Sequence, residues 1–291
     1  MLKDLIIHPK TSRAVQMFAN SPSHAVLLSG PTGSGKRSIA RALAAELLGI
    51  DSERLDSHPH FSHLAREEGK KDIPIEAVRR INKLLALKVP SKNAVKRVAL
   101  VEDAQLMNTE AQNAFLKSLE EPAEGTIFIL TTSSKSALLP TVVSRATSLV
   151  IHPVDMQSAL DYYTGRDEQE VITAWRLSQG SPGLLSVLLG DEPSELKSAV
   201  QRAKELLKKS RYERLLELDA IAKDKTEFAN LLDGLSRVIK ALYRAAAQSG
   251  KTKQTKSLTE AMKLVMDARR DLDANVLPRL IALKLTLNLP V

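Results

Sequence analysis

The chain has 291 residues, 43 % of them hydrophobic and only 3 % aromatic, with a formal net charge of +8. That length suggests two or three domains with cores built from Leu, Val, Ile and Ala. Cysteine is absent, which excludes a disulfide scaffold, a thiol nucleophile, an iron–sulfur cluster and Cys-ligated zinc. The charge is segmented: net +5 over residues 1–152, −5 over 153–193 and +8 over 194–291. The first residues carry no signal-peptide pattern and no apolar run is long enough for a membrane span, so the expected setting is cytoplasmic, without membrane contact.

In chain order, Ala25–Leu28 reads as a short buried strand. A glycine-rich turn follows, then a helix with Ile39, Leu43 and Leu47 at helical spacing. Ile75–Leu87 reads as another helix, through Val78, Ile81, Leu84 and Leu85. Val98–Val101 is a second strand, and the helix after it spans Asn108–Glu121 and stops at Pro122. Ile127–Leu130 and Leu149–Ile151 are the third and fourth strands. Strands alternating with helices predict an α/β domain with a parallel sheet. Beyond Pro153 the strand signal fades into short helices broken at Gly180–Gly183. Five longer helices are predicted over 194–210, 211–222, 226–248, 257–273 and 275–289, with Gln248–Lys256 as an exposed loop. The apolar residues of the last helix, Leu277 to Leu287, cover more than one stripe, as in a helix buried within a bundle.

Gly30-Pro31-Thr32-Gly33-Ser34-Gly35-Lys36 fits the phosphate-loop spacing G-x-x-x-x-G-K and sits between a predicted strand and a predicted helix. Glycines let the backbone curl so that its N–H groups surround phosphate oxygens, and the helix N-terminus adds a positive dipole end. Lys36 would reach the β- and γ-phosphates. The next residue should carry a hydroxyl for magnesium, yet it is Arg37, a permanent cation with no acceptor. Ser38 lies about 100° further around the helix, too far to substitute. After the second strand come Glu102 and Asp103, the reverse of the usual order for a metal-orienting Asp and a water-activating Glu. A one-methylene change moves a carboxylate by about 1.5 Å, and about 1 Å of misplacement can cost a hundredfold in rate. These residues read as a degraded magnesium site: ATP or ADP binding is compatible with the loop, though weak or absent, and magnesium-dependent hydrolysis is not expected.

Several stretches then carry a family resemblance. Val101-Glu102-Asp103-Ala104, Asn113–Pro122 (NAFLKSLEEP), Phe128–Thr132, Leu139–Arg145 (LPTVVSR) and Asn275–Leu280 together resemble the AAA+ ATPase subunits of bacterial DNA polymerase III clamp loaders. Within that family the chain is most similar to the delta-prime type. The resemblance implies an AAA+ phosphate-loop domain over 1–152, a helical lid over 153–193 and an all-helical collar over 194–291. It further implies a non-motor subunit of a hetero-oligomer, acting with other loader subunits, a sliding clamp and, through the complex, primed DNA. Arg145 would be an arginine finger reaching a neighbour's ATP, Thr132 the residue sensing the γ-phosphate, and Gly183 the position where motor subunits carry a sensor arginine. The four-cysteine zinc module common in the family is missing, so no zinc is expected. An ATP-hydrolysing motor subunit and another AAA+ remodeller are the competing readings.

Smaller features read as ordinary surface or core. His58, His60 and His63 are expected in an exposed polar loop rather than at a metal. Lys70-Lys71 and Arg79-Arg80 are expected on solvated faces, with DNA phosphates as the competing partner, and Trp175 and Phe61 in packing.

Overall fold

The computed structural model describes residues 2–67, 69–85, 87 and 94–289. The chain divides into two compact units, Met1–Tyr162 with Ser181–Gly183, and Tyr163–Gly180 with Leu184–Val291.

The first unit contains α1 (Pro9–Asn20), β1 (Ala25–Ser29), α2 (Lys36–Leu48), β2 (Phe61–Leu64), α3 (Ile75–Leu85), β3 (Arg97–Val101), α4 (Thr109–Glu120), β4 (Thr126–Thr132), α5 (Pro140–Ser144), β5 (Thr147–Val150) and α6 (Met156–Tyr162). The five strands form a wholly parallel sheet in the order β2-β3-β4-β1-β5. Strands β1, β3 and β4 are buried along their whole length, which explains their unbroken apolar runs. Their side chains alternate between two cores. Leu27, Ala99, Val101, Phe128 and Leu130 pack with α3 and α4 residues, where Phe115 meets Phe128 edge-on at 5.3 Å. Val26, Leu28, Val98, Leu100 and Ile129 face the opposite way, onto α2 residues such as Ile39 and Leu43. Because all strands run in parallel, Ser29, Val101 and Thr132 finish on the same edge of the sheet, where ligands bind in such folds.

Strand β2 was not expected from the sequence. Phe61-Ser62-His63-Leu64 carries two polar residues at its centre and lies at the sheet edge, so it lacks the apolar run that marks the central strands. Pairing with β3 draws it in, bracketed by the Val98 N–H donated to His60 (3.0 Å) and the Glu102 N–H donated to Leu64 (2.8 Å).

The second unit is helical: α7 (Glu168–Ser178), α8 (Pro182–Leu189, entering this unit at Leu184), α9 (Glu195–Lys208), α10 (Arg211–Ile221), α11 (Lys225–Gln248), α12 (Thr252–Asp273) and α13 (Pro278–Asn288). Helix α11 supplies Phe228, Leu231, Leu235 and Ile239 to a core shared with Val265, Leu272 and Leu285. Gly234 is required there, since a Cβ would come within 2.4 Å of the Ala199 carbonyl oxygen on α9. Ser194, Ser210 and Asp224 cap the N-termini of α9, α10 and α11. Arg214 is fully buried, and its guanidinium donates to the carbonyls of Leu206, Leu207 and Leu289, tying together the ends of α9 and α13.

Two sequence expectations are corrected here. The loop expected over Gln248–Lys256 is confined to residues 249–251, with Gly250 in the left-handed region (φ +68°) and α12 starting at Thr252. Its Lys, Gln and Thr residues lack an apolar signal because that turn of α12 is exposed. The last helix is not enclosed on all sides: Ile281 and Leu285 are buried, whereas Leu277, Leu280 and Leu287 are each more than half exposed. Among the described residues no helix is long and apolar enough to cross a membrane.

Candidate functional site

The phosphate loop lies where β1 ends. Gly30 donates its N–H to the Thr132 carbonyl on β4 (3.1 Å), anchoring the start of the loop. Gly33 and Gly35 take φ values of 82° and 83°, which only glycine adopts at low cost, and so deliver the chain into α2. Pro31 and Thr32 are exposed, while Ser34 is buried and its hydroxyl lacks a partner. Lys36 is turned onto the loop itself. It is buried, and its Nζ donates to the Gly30 and Pro31 carbonyls, both at 2.9 Å. Burial pushes the ammonium below its ordinary pKa, with Asp103 opposing that shift.

The first turn of α8 closes on the same loop. Gly183 donates its N–H to the Gly33 carbonyl at 2.9 Å. A Cβ at this position would come to 2.8 Å from that oxygen, so the approach needs glycine. Gly183, the position matched to a sensor arginine, therefore makes a backbone contact with the loop.

Glu102 and Asp103 follow β3 and diverge. Asp103 is exposed in a left-handed conformation (φ 48°), with its N–H donated to Thr131 Oγ1 (2.9 Å) and its carboxylate accepting from Gln105 (3.0 Å). Glu102 is buried, and its Oε1 lies 3.1 Å from Arg37 Nε and 3.2 Å from His63 Nε2. Burial by itself would raise the Glu102 carboxyl; His63, Arg37 and Arg41 outweigh it and hold the group below its ordinary value. The groups facing this carboxylate are nitrogen groups, a guanidinium on one side and an imidazole on the other. Together with Arg37 in place of a hydroxyl, these residues do not fit a magnesium ion. Ser38 is exposed and has no part in the cluster.

Thr132 is fully buried at the end of β4. Its hydroxyl donates to the Ser134 carbonyl (2.9 Å) and accepts from the Ser134 N–H (3.1 Å), closing its own turn.

Arg145 stands apart from these groups. It directly follows α5, with Nη1 donating to the Thr141 carbonyl (3.1 Å) and Nη2 lying 2.6 Å from Glu120 Oε1; its side chain is 35 % exposed. Helix α5 is held against α4 by Gln112. That buried amide donates to the Met107 and Ala137 carbonyls (3.0 and 3.1 Å) and accepts from the Leu139 N–H (2.7 Å).

The structure thus gathers the phosphate loop, Glu102, Asp103 and Thr132 at the strand ends and sets Arg145 on a separate edge. Sequence reading missed three participants. His63 was grouped with an exposed loop; on β2 it reaches Glu102 instead, while His58 accepts from the His60 N–H (3.3 Å). Only the strand assignment could have revealed this. Gln112, just before the NAFLKSLEEP stretch, gave no signal, and Glu120 gave none beyond its place within it. Among the described residues no group of three His, Asp or Glu side chains is arranged to hold a metal. Lys70, Lys71, Arg79 and Arg80 are exposed, with Lys70 and Arg80 paired to Glu67. Phe61 and Trp175 are half-buried.

Comparison with known proteins decides the family. The sequence profile described as DNA polymerase III, delta subunit matches residues 10–155, half of the chain. The chain belongs to this family. It is 34 % identical over 206 residues to DNA polymerase III subunit delta' of Pseudomonas aeruginosa, a match covering 64 % of this chain and 62 % of that one. It is 31 % identical over 204 residues to subunit delta' of Escherichia coli, covering 64 % and 60 %. The chain therefore spans about three-fifths of the length of these relatives. A crystal structure of a DNA polymerase III gamma subunit-related protein from Thermotoga maritima superposes with a TM-score of 0.59 over 96 % of this chain and 97 % of that one, at 19 % identity. That likeness concerns the fold alone: an α/β domain followed by helices.

Proposed function

We propose that this chain is a non-motor, delta-prime-type subunit of a DNA polymerase III clamp loader. In that role it helps to place a sliding clamp on primed DNA in the cytoplasm and offers Arg145 to the ATP site of an adjacent subunit. The observation carrying this reading is the contrast between two basic groups. Arg37 takes the place of the magnesium hydroxyl and faces the chain's own Glu102 at 3.1 Å, whereas Arg145, away from the loop, ends a helix pinned by Gln112 and keeps three of its five N–H donors outside its contacts to Thr141 and Glu120. An arginine that stabilises charge on a transferring phosphoryl group works in trans, so it serves even a subunit that hydrolyses nothing. Residues Gly30–Ser38 would then bind ATP or ADP weakly or not at all, because Lys36 and Gly183 already engage loop carbonyls. Residues 1–152 would be the AAA+ domain, 153–193 the lid and 194–291 the collar that joins the other subunits. The exposed Leu277, Leu280 and Leu287 of the last helix suit that collar role.

The test is reconstitution with candidate loader subunits, reading assembly and ATP turnover together. Arg145→Ala should leave assembly intact and lower turnover at the site it serves by about a thousandfold. Unchanged turnover would remove the finger, and magnesium-dependent hydrolysis by this chain alone, abolished in Lys36→Ala, would make it a motor.

A further inference from the structure

Arg145 does not stand on α5 unaided. Its Nη1 donates to the Thr141 carbonyl one helical turn back (3.1 Å), and its Nη2 lies 2.6 Å from Glu120 Oε1 at the end of α4. Glu120 is the last residue of that helix, where the macrodipole disfavours a carboxylate. Only a nearby cation makes the position favourable, and Arg145 is the cation in contact. We infer that Glu120 is a positioning residue for Arg145: it fixes the direction in which the guanidinium leaves this subunit. The inference rests on the reading of Arg145 as a finger in trans.

The chemistry supports holding rather than sequestering. A guanidinium has five N–H donors. The contacts to Thr141 and Glu120 engage one terminal nitrogen each, leaving Nε–H and the second hydrogens of both terminal nitrogens for phosphate oxygens. Arginine is long and loses considerable rotamer freedom when it docks. A guanidinium already held at two points needs less reorganisation when charge develops on the phosphoryl group. The pair is too exposed to matter much for stability, with Arg145 at 35 % and Glu120 at 49 % side-chain exposure. Its effect should therefore appear in rate. The same helix also clamps the segment entering α5, through Gln112 and the Leu139 N–H. Helix α4 thus fixes the base of α5 at one point and its terminal arginine at another.

The experiment uses the assembled loader, with ATP turnover followed against ATP concentration. Glu120→Gln should lower kcat by about three- to tenfold, because slight misplacement of a reacting group is costly. KM and the thermal midpoint of the chain should be unchanged. Glu120→Asp, which keeps the charge, should recover part of the loss. In an Arg145→Ala background Glu120→Gln should add nothing. An unchanged or raised kcat in Glu120→Gln overturns the inference, as does an equal loss in the Arg145→Ala background. If Arg145→Ala itself has no effect on turnover, the finger reading fails first, and the positioning role fails with it.

Discussion

The phosphate loop and the α5 edge each set basic side chains beside a carboxylate, and they orient them in opposite ways. At the loop, Lys36 points back at two carbonyls of its own turn, and Arg37, itself still 69 % exposed, and His63 each place one nitrogen beside the buried Glu102. At the edge, Arg145 meets Glu120 on the surface, held but still open to solvent. In the first arrangement Lys36 gives two of its three donors to the loop that would take the phosphate. The second is held together at the rim of the α/β unit and keeps donors for an outside anion. Cationic residues alone therefore do not mark a working anion site; what matters is how many of their donors the chain that carries them leaves free.

Three variants test that contrast further. Gln112→Ala strikes the support of the edge. It removes three hydrogen bonds, one of them fully buried, and strands two carbonyls and one N–H, which should lower the unfolding free energy by about 3 kcal/mol in denaturant titration. A change below about 1 kcal/mol would mean that α5 is held by other contacts. Gly183→Ala attacks the closure of the loop. Its Cβ would sit 2.8 Å from the Gly33 oxygen, so the turn must withdraw, costing about 1–2 kcal/mol. Hydrogen exchange at Gly183 and its neighbours should quicken, and unaltered exchange would show that the contact does not hold the loop.

Glu102→Gln is the mildest test and reads out in acid. The folded state holds the Glu102 carboxyl below its ordinary value, so this group stabilises the protein above the unfolded carboxyl's pKa of about 4.3. That contribution is lost as the pH falls through the lower, folded value. Glu102→Gln should be less stable than the parent at neutral pH and lose less stability below about pH 4. Parallel acid-unfolding curves followed by circular dichroism would show that Arg37 and His63 contribute nothing through this carboxylate.

Much of the α/β unit was legible because its central strands are buried on both faces. That burial demands unbroken apolar runs such as Val98–Val101, and the turns between them carry glycine or proline signals. Edge strand β2 was not legible, since one half-exposed row of four residues leaves too short a pattern. The loop's composition was readable down to the misfit of Arg37, yet nothing in the sequence said which carboxylate Arg37 would meet. Gly183 was matched to a lost sensor arginine; its packing on Gly33 depends on residues about 150 positions away in the chain.

What the sequence determined by itself was local: the strand–loop–helix of the phosphate motif, the absence of a magnesium hydroxyl and the segments that place the chain in its family. Each depends on spacing within a few residues, where backbone geometry leaves few alternatives. Only the tertiary structure decided which carboxylate each nitrogen group meets. That choice turns on contacts between remote parts of the chain, His63 with Glu102 and Glu120 with Arg145. Coulombic and hydrogen-bond energies depend on separations of a few ångströms, which linear order does not encode.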